Sequence, residues 1–304
     1  MPVTATDPIV NPLAPPTVSG TTYTVDFLLS NPTRVTRIVA DLVMANFFLD
    51  RVFSTGGDVS GGAVLYDQAN YLDIYTDRDV ERIEPGTEAP IVTGQRTAPL
   101  VALVEKFGGK FPITNEARRR NEMNRMNNHM RRLSNTIVRK MHQRGLAELA
   151  AQIAANARTA SSISWSAAMA LTMTTASPSA RPARTFTAAQ REAENNEFGY
   201  AYDTLIVNPT EAESIRTVYA DTLDAILSDN GITSMISTPR KASGSAYLLA
   251  GGEVGEMRLE EPLRTTVTPE GAPTLREQDW VQSLVNPVFF VTDPYAILEM
   301  TGIA

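Results

Sequence analysis

The 304-residue sequence contains no cysteine, two histidines and two tryptophans. Without cysteine, the chain cannot form a disulfide, hold a metal through thiolates or use a cysteine nucleophile. The lack of disulfides also agrees with synthesis in a reducing cytoplasm. These absences exclude the disulfide-stabilised secreted proteins and the zinc proteins that depend on thiolate ligands.

Long apolar runs are absent as well. No apolar stretch approaches the roughly 20 residues that a helix needs to cross a bilayer. Residues 1–20 are rich in proline and threonine and lack the basic start and apolar stretch of a signal peptide. We therefore expect no membrane segment and no secretory signal. A hydrophobic content of 43% and a charged content of 20% predict a folded chain of one elaborated domain or two interleaved ones.

No catalytic or metal-binding pattern stands out. His129 and His142 are thirteen residues apart, both on polar-rich sides of a predicted helix, and about 20 Å separates such positions on a straight helix. The glycine pairs fit neither a dinucleotide nor a phosphate-binding loop, and the acids of residues 73–84 lack the spacing of a calcium loop. We expect no catalytic residue, no cofactor, no metal and a function that is not enzymatic.

What the sequence does contain is one long basic helix, predicted over residues 112–158 with Thr114 as N-cap and Glu116 in the first turn. Its length is on the order of 60 Å, more than a small domain needs, so we expect other subunits to cover its sides. Gly145 marks a point where it could bend. Apolar residues at steps of three and four predict one buried stripe: Met123, Met126, Met130, Leu133, Ile137, Met141, Leu146, Leu149 and Ile153.

Charge is unevenly distributed in a chain whose net charge is -7. Residues 116–144 carry nine basic and two acidic side chains, whereas residues 63–96 carry seven acidic and three basic ones. The simplest interpretation is a solvated helix face and a solvated loop. We hypothesise instead that the two segments attract each other between copies of the chain. The candidate contact residues are Arg118, Arg119, Arg125, Arg132, Asp77, Asp79, Glu81, Glu84 and Glu88.

The order of the predicted elements indicates an α+β fold. Prolines predict an extended arm over residues 1–30, and Pro32 fits the first position of a helix whose apolar stripe continues to residue 52. Residues 63–94 predict a polar two-stranded excursion without a core of its own. Strands follow over residues 97–113, 204–207, 257–268 and 280–291.

Four passages then carry a resemblance. Residues 84–90 (EPGTEAP) resemble the tip of an extended loop, and residues 104–116 (VEKFGGKFPITNE) resemble a strand that enters a spine helix. Residues 203–209 (DTLIVNP) resemble the strand that opens an axial domain. Residues 293–295 and 300–302 resemble a C-terminal strand of a peripheral domain. In this order, and over nearly the whole chain, the sequence resembles the major capsid proteins of tailed bacteriophages of the Hong Kong 97 type.

This resemblance implies an icosahedral shell of hexamers and pentamers around double-stranded DNA. It implies an N-terminal arm and short helix (1–55), an extended loop (56–96), a peripheral domain with the spine helix (97–160 and 257–304) and an axial domain (161–256). It further implies a virion protein made in the bacterial cytoplasm. The implied partners are further copies of the chain, a separate scaffolding protein, a portal protein, a decoration protein and DNA that is contacted non-specifically.

Two alternatives stay open. An encapsulin-like nanocompartment would use the same fold to enclose a cargo enzyme. A nucleic-acid-binding protein, from a different class, would use the basic helix over residues 116–144. Part of the resembled family cross-links its shell through a lysine of the extended loop. This sequence has no lysine before Lys106, and arginine stays protonated and cannot replace it. We therefore expect a shell without such covalent bonds.

Overall fold

The computed structural model describes residues 17–18, 21–22, 24–70, 73–94, 97–171, 177–269 and 277–304. Within them the chain forms eight α-helices and thirteen β-strands, which confirms the α+β prediction. Most of the predicted extended arm lies outside the described residues. In the described part of that segment, residues 17–18 and 21–22 are strands and therefore extended, whereas a helix begins at Val25, where the extended prediction was wrong.

The helices and strands have the following bounds. The helices are α1 Val25–Leu29, α2 Pro32–Met44, α3 Asn115–Arg119, α4 Met123–Ala155, α5 Trp165–Ala168, α6 Ala183–Asn195, α7 Pro209–Tyr219 and α8 Leu223–Asp229. The strands are β1 Thr17–Val18, β2 Thr21–Thr22, β3 Ser54–Thr55, β4 Ala63–Tyr66, β5 Leu100–Leu103, β6 Phe107–Thr114, β7 Thr159–Ser161, β8 Thr204–Val207, β9 Ser234–Ser237, β10 Ser245–Leu249, β11 Gly255–Pro269, β12 Gln278–Val291 and β13 Ile297–Thr301.

A five-stranded mixed sheet in the order β7-β13-β10-β8-β9 organises one part of the fold. Strand β8 is apolar and buried along its whole length, as expected for a strand covered on both faces. The side chain of Asn208 accepts the N–H of Thr210 at 3.1 Å, and Pro209 takes the first position of α7. This strand and helix start were predicted from the sequence, and the structure confirms both.

A four-stranded sheet in the order β3-β11-β12-β6 organises the other part. Strands β11 and β12 form a long antiparallel pair, on which helices α2 and α4 pack. Thr36 of α2 covers the outer edge of β11, because its hydroxyl accepts the N–H of Thr265 at 3.0 Å. The predicted apolar stripe of α4 is buried in this layer, apart from the half-buried Leu133.

The long basic helix is shorter than predicted and is interrupted. Residues 112–114 belong to strand β6, where they pair with β12. Thr114 caps α3 as predicted, accepting the N–H of Ala117 at 3.3 Å. The chain then leaves the helix at Asn121, whose φ of 52° lies in the left-handed region that asparagine tolerates. The Asn121 side chain accepts the N–H of Val25 at 2.8 Å, so the break anchors α1.

Helix α4 continues without a break through Gly145, from Met123 to Ala155. Leu49 lies directly against this glycine. A β-carbon at position 145 would lie 2.6 Å from Cδ1 of Leu49, which is fully buried. The glycine therefore permits a close approach of the segment after α2. That segment is not part of α2, which ends at Met44 and not near residue 52.

The predicted two-stranded excursion over residues 63–94 needs correction. In the part that the structure describes, it is paired only at its base, where β4 pairs with β5, so its second strand begins at Leu100. The final strand, β13, pairs with β10 and β7 in the five-stranded sheet and does not join the sheet of β11 and β12.

Candidate assembly surfaces

The acidic loop, defined as residues 67–99 between β4 and β5, is the first candidate surface. All five of its predicted contact residues are exposed and have no ion-pair partner among the described residues: Asp77, Asp79, Glu81, Glu84 and Glu88. Several of its apolar side chains are exposed as well, with Val80 at 83% and Ile91 at 81% of their free accessibility. The loop thus presents both charge and apolar area to the surroundings.

The base of this loop has one buried and one exposed face. Val64 packs inward against Val288 and Phe290 in a small core of its own. On the other face Leu65 pairs with Val101, and both are mostly exposed. Since alternate residues of a strand share a face, Leu103 continues this exposed apolar surface.

Hydrogen bonds connect the two sides of the acidic loop at Asp77 and Thr93 and close a turn near its tip. The carboxylate of Asp77 accepts the backbone N–H of Thr93 at 2.9 Å and its hydroxyl at 2.8 Å. These bonds lower the pKa of the Asp77 carboxyl below its ordinary value. Farther out, Thr87 donates its N–H to the Glu84 carbonyl, with Gly86 at φ 94°, which confirms the predicted turn. Asp77 therefore has a structural role within the loop.

The predicted contact arginines at α3 have partners within the chain. Arg118 binds the carboxylate of Asp26 and lies 3.2 Å from that of Asp279, so it joins α1, α3 and β12. Arg119 lies 3.8 Å from Glu277, with most of its side chain exposed. Arg118 is thus largely committed to holding the chain's own elements together.

The predicted contact arginines on α4 differ from those on α3. Arg125 has one weak partner, Glu122 at 3.5 Å in the turn that precedes it. Arg132 is exposed and has no ion-pair partner among the described residues. Farther along, Arg144 pairs with Glu148 at 2.9 Å and also with Glu105, which ties the segment after β5 to α4.

Both histidines pack against aromatic rings. His142 is buried, not on a polar side of α4 as predicted, and its ring lies 4.0 Å from that of Phe48 and 5.4 Å from that of Phe47. Burial lowers its pKa to about 4. His129 stacks on Phe111 at 5.3 Å. In the part of the chain that the structure describes, no three His, Cys, Asp or Glu side chains are grouped to hold a metal.

No helix among the described residues has the length and apolarity needed to cross a membrane. No curated protein matches the sequence. The family model described as phage capsid protein matches residues 96–300.

Solved structures are similar to this chain over most of their length. The virus-like particle from Pyrococcus furiosus is 14% identical with a TM-score of 0.61, and the match covers 88% of this chain and 98% of that one. The structure from Mycobacterium phage Bobi is 11% identical with a TM-score of 0.57, covering 86% and 89%. The capsid of cyanophage P-SCSP1u is 12% identical with a TM-score of 0.57, covering 84% and 88%.

These matches confirm the resemblance drawn from the sequence. Similarity at such low identity establishes the Hong Kong 97-type capsid fold, and the family model adds the kind of protein: a structural protein of the virion capsid that assembles into shells. Because the family model covers more than half of the sequence, the chain belongs to the phage capsid protein family.

Proposed function

We propose that this chain is the major capsid protein of a tailed bacteriophage, and that it forms hexamers and pentamers of an icosahedral shell around double-stranded DNA. One observation carries the proposal: the described part of the acidic loop has internal hydrogen bonds but no apolar core of its own. Its exposed apolar side chains, Val80 and Ile91 among them, find little burial within the chain. A neighbouring copy would cover them.

Charge complementarity supports a contact between the acidic loop and another copy. Glu81, Glu84 and Glu88 are exposed, as is most of the Arg119 side chain. We propose that Arg119 meets the loop acids of a neighbour, whereas Arg118 positions α1 within its own chain. Exposed pairs contribute only about 0.2–1 kcal/mol each, so the apolar side chains would supply most of the stabilisation.

The sheets support a division into domains close to the predicted one. We propose that the four-stranded sheet with α2 and α4 is the peripheral domain, and that the five-stranded sheet is the axial domain. Residues 159–161 and 297–301 would then belong to the axial domain, because they pair into its sheet. Residues 56–96, with the pairing strand β5, would be the extended loop, and residues 1–55 the arm with its short helices.

The remaining partners follow from the same proposal. The shell would be made in the bacterial cytoplasm with a separate scaffolding protein, a portal protein at one vertex and a decoration protein on its surface. The shell would be held by non-covalent contacts, since the extended loop contains no lysine to form such a cross-link.

A shortened loop tests the proposal. Asp77 and Thr93 are already hydrogen-bonded through their backbones, Asp77 N–H to Thr93 carbonyl at 2.8 Å. Replacing residues 78–92 by two glycines would therefore remove the tip and leave the base intact. We expect this variant to keep its circular dichroism and melting temperature but to form no closed shells in negative-stain microscopy. Shells at wild-type yield would contradict the proposal.

A protease experiment provides a second readout on the unmodified chain. Arg78 and Arg82 are exposed in the acidic loop. Trypsin should cut there in unassembled subunits, whereas assembled shells should be protected if a neighbour covers the loop. Equal cleavage in both states would show that the loop stays uncovered.

A second candidate function is a shell that encloses protein cargo, favoured by the similarity to the Pyrococcus furiosus virus-like particle over 98% of that chain. The contents of purified particles distinguish the two. Nucleic acid inside nuclease-treated particles supports the phage capsid, and a stoichiometric co-purified protein in particles without nucleic acid supports the compartment.

A further inference from the structure

A row of polar side chains runs along the solvent face of α4, and we name it the donor stripe. Its members, three or four residues apart, share one face of the helix and are all exposed: Arg125, Asn128, Arg132, Asn135, Arg139 and Gln143. Eighteen residue steps at about 1.5 Å give the stripe a length of roughly 27 Å.

The donor stripe carries positive charge that is only partly neutralised: among the described residues, the one ion pair of its members joins Arg125 to Glu122 at 3.5 Å. No aspartate or glutamate occurs in residues 123–147. Among the described residues, Arg132 and Arg139 have no ion-pair partner, and neither do the flanking Arg131 and Lys140. Every member of the stripe offers N–H donors, and none offers a carboxylate.

The spacing of these donors is held by the buried side of the same helix. Met126, Met130 and Ile137 are buried against α2 and the four-stranded sheet. The arginines at positions 125, 132 and 139 follow one another at seven-residue steps, about 10.5 Å each. They therefore form a straight and firmly supported row.

We propose that the donor stripe binds the phosphate backbone of the duplex DNA that the shell encloses. This inference rests on the proposed function. Arginine matches phosphate geometry through two parallel hydrogen bonds, and carboxamide groups also donate to phosphate oxygens. A row of about 27 Å corresponds to roughly eight base pairs at 3.4 Å each. The stripe contains no aromatic side chain and offers no stacking platform, so the contact is independent of sequence.

The acidic loop of a neighbouring copy fits the donor stripe less well. That loop exposes Val80 and Ile91 beside its acids, and such side chains gain stability only against an apolar surface. The stripe is polar throughout. A polyanion without apolar groups matches its chemistry better.

A double variant and a matched control test this assignment. Arg132→Gln with Arg139→Gln removes two positive charges from the stripe. Arg191→Gln with Arg216→Gln removes two from the exposed sides of α6 and α7, so both variants have the same net charge. Glutamine and arginine have similar helix propensities, so both variants should fold.

The measurement is the affinity of soluble subunits for a fluorescein-labelled 30-base-pair duplex across a sodium chloride titration. Each phosphate contact contributes about 0.9 to the slope of log affinity against log salt. We expect the slope of the stripe variant to be shallower than that of the wild type by about 1.8, because two phosphate contacts are lost. Its affinity at low salt should fall on the order of tenfold or more. The control should keep the wild-type slope, and unrelated duplexes should compete equally.

Three results would overturn the assignment: a stripe variant with the wild-type slope, an equal loss in the control, or normal DNA binding combined with failed assembly. The last would make the stripe a contact between subunits. Failure of the proposed function is visible separately, since the wild-type chain would then form no shells in microscopy whatever its subunits bind.

Discussion

The imidazole Nε2 of His142 accepts the backbone N–H of Phe48 at 3.4 Å, which requires an unprotonated ring nitrogen. Burial, with a smaller effect of the Arg240 charge, lowers the pKa of His142 from 6.5 to about 4. The unfolded chain therefore binds this proton more readily than the folded one.

This relationship predicts a loss of stability in acid. As pH falls from about 6.5 to 4, protonation of His142 in the unfolded chain lowers the free energy of unfolding progressively. The total loss is on the order of 3 kcal/mol and is complete below pH 4. His142→Gln keeps an acceptor for the Phe48 N–H but does not titrate. Urea unfolding at pH 7 and pH 4.5 should show a larger drop for the wild type than for this variant. Equal drops would mean that other groups cause the acid sensitivity.

The contact between Gly145 and Leu49 predicts a cost of overpacking. Gly145→Ala should destabilise the chain by about 1–2 kcal/mol, although alanine favours helix by about 1 kcal/mol, because the added methyl lies 2.6 Å from Leu49 Cδ1. Leu49→Ala alone should also destabilise. In the double variant, the loss in unfolding free energy should be smaller than the sum of the two single losses. A double-mutant cycle from urea denaturation in which the losses are strictly additive would contradict the steric explanation.

Charge reversal in the acidic loop should block assembly but not folding. Glu81→Lys, Glu84→Lys and Glu88→Lys change exposed side chains that have no ion-pair partner among the described residues. Far-ultraviolet circular dichroism should therefore be unchanged while the shell yield falls sharply. If Arg119 is the partner, adding Arg119→Glu should restore part of the yield. Normal yield from the loop variant would show that these charges do not act between subunits.

Mature particles boiled in detergent should run as a single band near 33.1 kDa. Besides the absence of lysine from the extended loop, Lys241 is buried and lies 2.9 Å from Glu299 and 3.8 Å from the Tyr247 ring centroid. Lys110 lies over the ring of Trp280. A ladder of covalent multimers in the gel would contradict this prediction.

Periodicity and capping chemistry made much of the fold predictable. The buried stripe of α4, the Asn208 cap with Pro209, and the turn at Gly86 each depend on residues close in sequence. The break at Asn121 was missed because its Val25 partner is distant in sequence. The placement of β13 was missed for the same kind of reason, since strand partners depend on the whole topology.

The candidate surfaces were predicted only in part. Charge counting identified the acidic loop and the basic helix, but it could not separate Arg118, which has Asp26 and Asp279 as partners, from Arg132, which has no such partner among the described residues. Arg139, a member of the proposed donor stripe, was not among the predicted contact residues, although its seven-residue spacing from Arg132 was visible in the sequence. The bonds between Asp77 and Thr93 were not predicted, because they span sixteen positions.

The bonds between Asp77 and Thr93 also bear on how quickly a shell can grow. A flexible segment loses conformational entropy when it binds a partner, and that loss weakens binding and slows association. Here Asp77 and Thr93 are already hydrogen-bonded within the single chain, which limits the freedom of the segment between them. Loosening it by Asp77→Ala would therefore slow the early, concentration-dependent steps of growth more than it would weaken the finished particle.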